Sequence, residues 1–308
     1  MIEVRKSREL AVVLAASSAG AYGPGQELAP AAFIRHGLVA RLQSVGGRVV
    51  ERGTVVASVF QQRGDPRANN VEQVVAAARA VAGSVAESLE SGQDVLVLGG
   101  DCTVEVGTVA GAVRDGSRVC SVYIDLDADL NTPDTGDGIL DWMGVAHLLD
   151  VPGADRALAG VGTVRPLVGP DAVLLMAVDR ATDAESELIE RLGLRRETLQ
   201  QVQADAAAVL ERTAAWAAGF DRLLVHVDAD VLDFAAFPIA ENTRRVPGLQ
   251  LETLAEILRG LCRLPNWRCL TVTEVNPAHA DDEVTAFTRL VQVLSGALGD
   301  DTKAGTSS

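Results

Sequence analysis

Three apolar runs in this 308-residue chain stop abruptly on acidic residues. Asp94-Val95-Leu96-Val97-Leu98 leads into Gly99-Gly100-Asp101-Cys102, the run 119–124 leads into Asp125-Leu126-Asp127-Ala128-Asp129, and Leu223-Leu224-Val225-His226-Val227 leads into Asp228-Ala229-Asp230. Short Val- and Leu-rich runs bounded by Gly or Asp read as strands buried on both faces. Similar runs occur at 10–16, 48–60, 171–178 and 269–275. Helical patterns fill the intervals, at 30–42, 70–89, 103–113, 141–149, 185–192, 204–218, 251–263 and 282–298. Strands alternating with helices predict a parallel sheet covered on both faces. Neither an internal repeat nor a linker divides the chain, so residues 1–298 read as one domain and 299–308 as a polar tail.

The apolar fraction of 48% suffices for a large core, and an aromatic content of only 4% favours Ala/Val/Leu helices packed on a sheet over an aromatic-rich β-sandwich. A net charge of −15 argues against nucleic acid or an anionic membrane surface as partner. No run approaches the roughly 20 apolar residues of a membrane span. Basic Arg5, Lys6 and Arg8 ahead of the run 10–16 give a faint likeness to a signal peptide, but Glu9 borders a short run, which reads as the first core strand. The four cysteines, Cys102, Cys120, Cys262 and Cys269, form no C-x-x-C pair and do not look like a disulfide framework, which points to a cytoplasmic protein.

In extended chain, residues two apart face one side. Asp125, Asp127 and Asp129 thus converge, and clustered carboxylates are costly to bury unless a cation joins them. A single D-x-D can equally cap a helix or fill a solvated turn. Three clusters, each directly after an apolar strand, favour one shared crevice at the carboxyl ends of the strands, where ligands bind in open α/β sheets. A phosphatase built on Asp125-Leu126-Asp127 is disfavoured, because that chemistry expects its D-x-D on the first strand.

With these stretches in view, the sequence resembles the arginase/agmatinase (ureohydrolase) family. The matching segments are 98–107, 122–149, 226–238 and Thr273-Glu274-Val275-Asn276-Pro277, with Ala29-Pro30-Ala31-Ala32-Phe33-Ile34-Arg35-His36-Gly37-Leu38 near the start. The resemblance implies a three-layer α-β-α fold with a mostly parallel eight-stranded sheet. It also implies two Mn²⁺ ions and hydrolysis of a C–N bond in a small cationic guanidino, amidino or formimino compound by metal-bound hydroxide. Carried over residue by residue, Asp125 and Asp228 match aspartates that bridge both ions, Asp129 a ligand of the first ion and Asp230 a ligand of the second. Glu274 matches the glutamate that pairs with the guanidinium, and Asn131 lies in the loop that holds the substrate's far end. A homo-oligomer, trimer or hexamer, is implied in the same way.

Three positions depart from the family pattern. Cys102 and Asp127 stand where imidazole ligands of the first and second ion are expected, and Asp141 stands where a proton-shuttling histidine is expected. None of His36, His147, His226 or His279 fills these places. His147 and His226 read as packing histidines. Asp127, and Cys102 if it binds as thiolate, add negative charge to the metal shell, which lowers the Lewis acidity of the ions and raises the pKa of bound water. A thiolate at Cys102 would draw zinc or iron to that side, whereas carboxylates suit Mn²⁺ or Mg²⁺. Asp141 is then the candidate acid or shuttle. Arg244 and Arg245 read as solvated, with a substrate carboxylate as their alternative partner. Loss of the histidines keeps open a second reading, a non-catalytic or regulatory protein on the same fold.

Overall fold

The computed structural model describes residues 8–299. Eight strands form a single sheet: β1 Glu9–Ser17, β2 Arg48–Ser58, β3 Asp94–Gly99, β4 Val119–Ile124, β5 Val173–Val178, β6 Arg195–Thr198, β7 Arg222–Asp228 and β8 Trp267–Thr273. Their order is β2-β1-β3-β8-β7-β4-β5-β6, and every pairing is parallel. Strands β3, β4 and β5 are buried along their whole length, as strands covered by helices on both faces must be. The edge strands β2 and β6 carry the charged and half-exposed positions.

The expected strands are all present, and β6 is the one that the sequence concealed. It is four residues long, Arg195-Arg196-Glu197-Thr198, and pairs only with β5. A short charged strand is how sheets protect an edge from further pairing, and it erases the apolar signal by which strands are recognised. The helix expected over 30–42 is two helices, Ala29–Arg35 and Leu38–Ser44, broken at Gly37 with φ 81°. The run 204–218 is likewise split, with Asp205 capping a helix over Ala206–Ala217.

Close packing places the carboxyl edge of the sheet. Helix Val104–Ala112 follows β3 and lies against helix Val71–Glu90. Gly107 and Gly111, one turn apart, make that contact intimate: a Cβ on either would fall 2.4 Å from Ala78 O and 2.6 Å from Ala82 O respectively. At the end of β3, a Cβ on Gly100 would fall 1.8 Å from Ser17 O. Asp101 then fastens this turn to the end of β1, accepting from Ser17 Oγ at 3.2 Å and Gly20 N at 3.0 Å while also capping Thr103 N at 3.0 Å. Asp101 is therefore an anchor of the turn that presents Cys102. Among the described residues, no helix is long and apolar enough to cross a membrane.

Candidate metal centre and active site

The four adjacent central strands β3, β8, β7 and β4 deliver all the acidic clusters to one crevice at their carboxyl ends. Register aligns Ile124 with Val227 and Asp228 with Thr273, so Asp125, Asp228 and Glu274 emerge side by side. Asp125, Asp127, Asp129, Asp141, Asp228, Asp230 and Glu274 all line one cavity of about 580 Å³. The three aspartates after β4 converge, though not as an extended strand. The strand ends at Ile124, Asp125 caps Asp127 N at 2.8 Å, and Asp129 takes a left-handed φ of 52°. A loop, not the two-residue period, aims them inward.

Ligand oxygens of Asp125, Asp228 and Asp230 lie within 4.8 Å of one another. Asp125 Oδ2 and Asp230 Oδ1 are buried without a hydrogen-bond partner. Burial first, and then the neighbouring carboxylates, push the Asp125 and Asp228 carboxyls well above the usual range. Asp230 is raised by the same two causes, with Arg244 opposing. Orphaned oxygens and mutual repulsion are what a hard divalent cation relieves, and an all-oxygen donor set suits Mn²⁺ or Mg²⁺. Asp129, raised by burial and by Asp228, is held on its other side by Tyr123, whose hydroxyl donates to Oδ2 at 2.6 Å.

Asp127 is differently engaged. Both of its oxygens face guanidinium groups: Oδ2 pairs with Arg244 Nη2, and Oδ1 lies 3.5 Å from Arg180 Nε. Arg244 Nη2 also reaches Asp230 Oδ2 at 3.4 Å. The expectation that Arg244 is solvated is thus corrected, because its charge is drawn into a site with a large excess of carboxylates. Arg245 instead stacks its guanidinium 5.9 Å from the Phe234 ring.

Cys102 sits behind the cavity wall, 1% exposed. Its thiol donates to Asp228 Oδ2 at 3.0 Å, and His226 Nε2 and Thr273 Oγ1 lie 3.4 Å and 3.1 Å from the sulfur. Burial, then the charge of Asp228, pushes this thiol well above its ordinary pKa, so it is a neutral thiol in the ion-free protein. His226 is fully buried, stacked on Tyr123 with ring centroids 4.0 Å apart, and its Nδ1 lies 3.7 Å from Glu105 Oε2. His147 bridges Met143 O at 2.6 Å and Asp155 N at 3.1 Å. His147 is thus a buried packing histidine, whereas His226 backs Cys102 directly.

Glu274 closes the floor. Its φ of 58° turns the chain out of β8, and its carboxylate accepts from Cys102 N at 2.9 Å and Gln26 Nε2 at 3.1 Å. Burial, then Asp141 and Asp228, raise its pKa well above the usual range. Asp141 is raised well above the usual range by burial and by Asp101. Asn131 lies in a neighbouring cavity of about 650 Å³, which shares Asp127, Asp137, Trp142 and Arg244 with the first. Gln26, Tyr123 and Arg180 are the site residues that sequence reasoning missed. The sequence singles out Arg244 by its place shortly after the third acidic cluster, but with solvent or a substrate carboxylate as its partner instead of Asp127 and Asp230. Gln26 and Tyr123 have no local pattern that distinguishes them.

Comparison with known proteins agrees with this geometry. The arginase of Bacillus caldovelox is 28% identical over 244 residues, spanning 75% of this chain and 81% of that protein. Its solved structure superposes with a TM-score of 0.86 at 23% identity, covering 96% of this chain and 99% of the other. Mouse arginase-1 is 28% identical over 283 residues, 88% of this chain and 86% of its own length. The fold is shared more loosely with formimidoylglutamase from Bacillus subtilis, with a TM-score of 0.70 at 16% identity over 97% of this chain and 88% of that one. The sequence model of the arginase family matches residues 8–296, and with the parallel eight-stranded sheet and the acidic centre at its carboxyl edge, the chain belongs to the arginase family.

Proposed function

We infer that the protein is a metal-dependent hydrolase of a C–N bond in a small cationic compound of the guanidino, amidino or formimino type. The observation that carries this reading is the convergence of Asp125, Asp228 and Asp230 within 4.8 Å beside Glu274 in one cavity. A divalent ion held by these aspartates, with Asp129 adjoining and Cys102 as a further candidate ligand, would supply an activated water and stabilise developing negative charge. Mn²⁺ is the ion favoured by the oxygen donors, with zinc or iron preferred if Cys102 binds as thiolate.

The chain's own residues account for the rest of the reaction. Seven aspartates and two glutamates line the cavity against a single arginine, Arg244, so a cationic ligand is drawn in and an anionic one repelled. Gln26 and Cys102 N hold the Glu274 carboxylate from two sides, which fixes it to receive a planar N–H fork. Asn131 lines the adjoining cavity and is the candidate contact for the far end of a longer substrate. Asp141, whose pKa is raised by burial and by Asp101, is the candidate donor of the proton that a departing amine requires. Asp141→Asn is expected to lower kcat at least tenfold and to remove the limb on which activity falls as this acid loses its proton; an unchanged profile takes Asp141 out of the mechanism.

One observation favours the non-catalytic reading: Asp127 is engaged by two arginines instead of facing the trio. The experiment that decides is elemental analysis of the purified protein together with an assay panel for urea, ammonia and formamide release from guanidino and formimino compounds. Tightly held metal with turnover of at least one compound supports the enzyme; no metal and no turnover across the panel rejects it.

A further inference from the structure

We propose that Arg244 is a resident cation that takes the place of the ion expected beside Asp127 and Asp230, so that each chain holds a single divalent ion, on Asp125 and Asp228, with only one oxygen of Asp230 left to it. This rests on the proposed function above and deepens it.

The acidic cavity divides into two electrostatic halves. In one, Asp125 Oδ2 and Asp230 Oδ1 are buried and unpartnered, and point to a ligand that the protein itself does not provide. In the other, the negative charge is already answered. Arg244 Nη2 spans Asp127 Oδ2 and Asp230 Oδ2, and Arg180 lies against the remaining oxygen of Asp127. Asp127 Oδ2 is therefore taken and its Oδ1 faces the charge of Arg180 at 3.5 Å, while Asp230 keeps only Oδ1 for an ion. A divalent cation at the Asp127 side would have to expel a guanidinium from two carboxylates and then sit against its positive charge.

Arg244 is also held from behind. Its backbone N–H donates to Asn242 Oδ1 at 3.2 Å, and Asn242 Nδ2 donates to Asp230 Oδ2 at 3.3 Å. The loop is thereby tied to the same carboxylate that the guanidinium grips. The side chain is 30% exposed, so its removal creates an opening at the meeting of the two cavities and not a core defect. A guanidinium, always charged and held on its own side chain, occupies this half of the site permanently and, unlike an ion, is not removed by chelation.

The test is a metal count. The parent protein is loaded with excess Mn²⁺, desalted and analysed by elemental analysis and electron paramagnetic resonance, beside Arg244→Met. The parent is expected to retain about one ion per chain with the six-line signal of isolated Mn²⁺. The variant is expected to retain about two, with the multiline signal of a coupled pair. Two ions in the parent overturn the proposal while leaving the hydrolase reading intact, as does one ion in both proteins. No ion in either overturns both. Arg244→Gln, prepared beside it, supplies the same comparison if Arg244→Met does not fold.

Discussion

Asp228→Asn is expected to leave the protein folded while abolishing tight Mn²⁺ binding and lowering kcat/KM by on the order of a thousandfold or more. The shape of the site survives this change. Asp228 Oδ1 caps the turn over Ala229–Val231 by accepting from Asp230 N at 2.7 Å, and an asparagine carbonyl accepts the same bond. Its amide nitrogen can face Cys102 Sγ, which now lies 3.0 Å from Oδ2. What is lost is one anionic ligand from the trio that lies within 4.8 Å. An ion contributes several kcal/mol of charge stabilisation to such a transition state, and each 1.36 kcal/mol is about tenfold in rate. Full metal content in the variant, with activity within about tenfold of the parent, would exclude Asp228 as a ligand. Ion-free Asp228→Asn should also be more stable than the ion-free parent at neutral pH, since it relieves the repulsion that raises Asp125.

The fold was legible because its central strands are continuous apolar runs, and such runs end where the chemistry begins. Leu223–Val227 and Asp228 needed no tertiary information to be read as strand and strand end, since burial on both faces leaves no room for polar residues. What the sequence hid follows from the same physics. β6 is an edge strand, so its residues are charged. Gln26 enters from a loop some 250 positions away from Glu274, and no local pattern encodes that meeting. Arg244 shows the limit most clearly. Its neighbourhood in sequence is an exposed loop, and only the folded structure reveals that Asp127 and Asp230 draw it in. Asp127 was read by position as a metal ligand, yet its partner is decided by which cation lies nearest.

Raising the pH should destabilise the ion-free protein and enlarge the stabilisation that metal adds. Asp125, Asp129, Asp228, Asp141 and Glu274 all have carboxyls raised well above their ordinary range, in each case first by burial and then by neighbouring acids, with the Tyr123 hydroxyl opposing at Asp129. An acid with a higher pKa folded than unfolded binds its proton more tightly in the native state. Its contribution is therefore lost as pH rises from about 4, the ordinary carboxylate value, through the raised native values. Asp221 is lowered by Arg118, and Glu283 by His36 and Arg35. Both contribute with the opposite sign, but they are solvent-exposed, where ion pairs count for little. The ion-free protein should thus melt at a lower temperature at pH 8 than at pH 5. Metal binds the deprotonated carboxylates, so its stabilisation grows over the same interval. At a hundredfold excess over Kd it amounts to about 2.7 kcal/mol, roughly 4 °C in Tm for a chain of this size. Scanning calorimetry at both pH values, with chelator and with Mn²⁺, reads both effects. A Tm increment from Mn²⁺ that is equal at the two pH values, or larger at pH 5, would mean that these buried carboxylates are not where the ion binds.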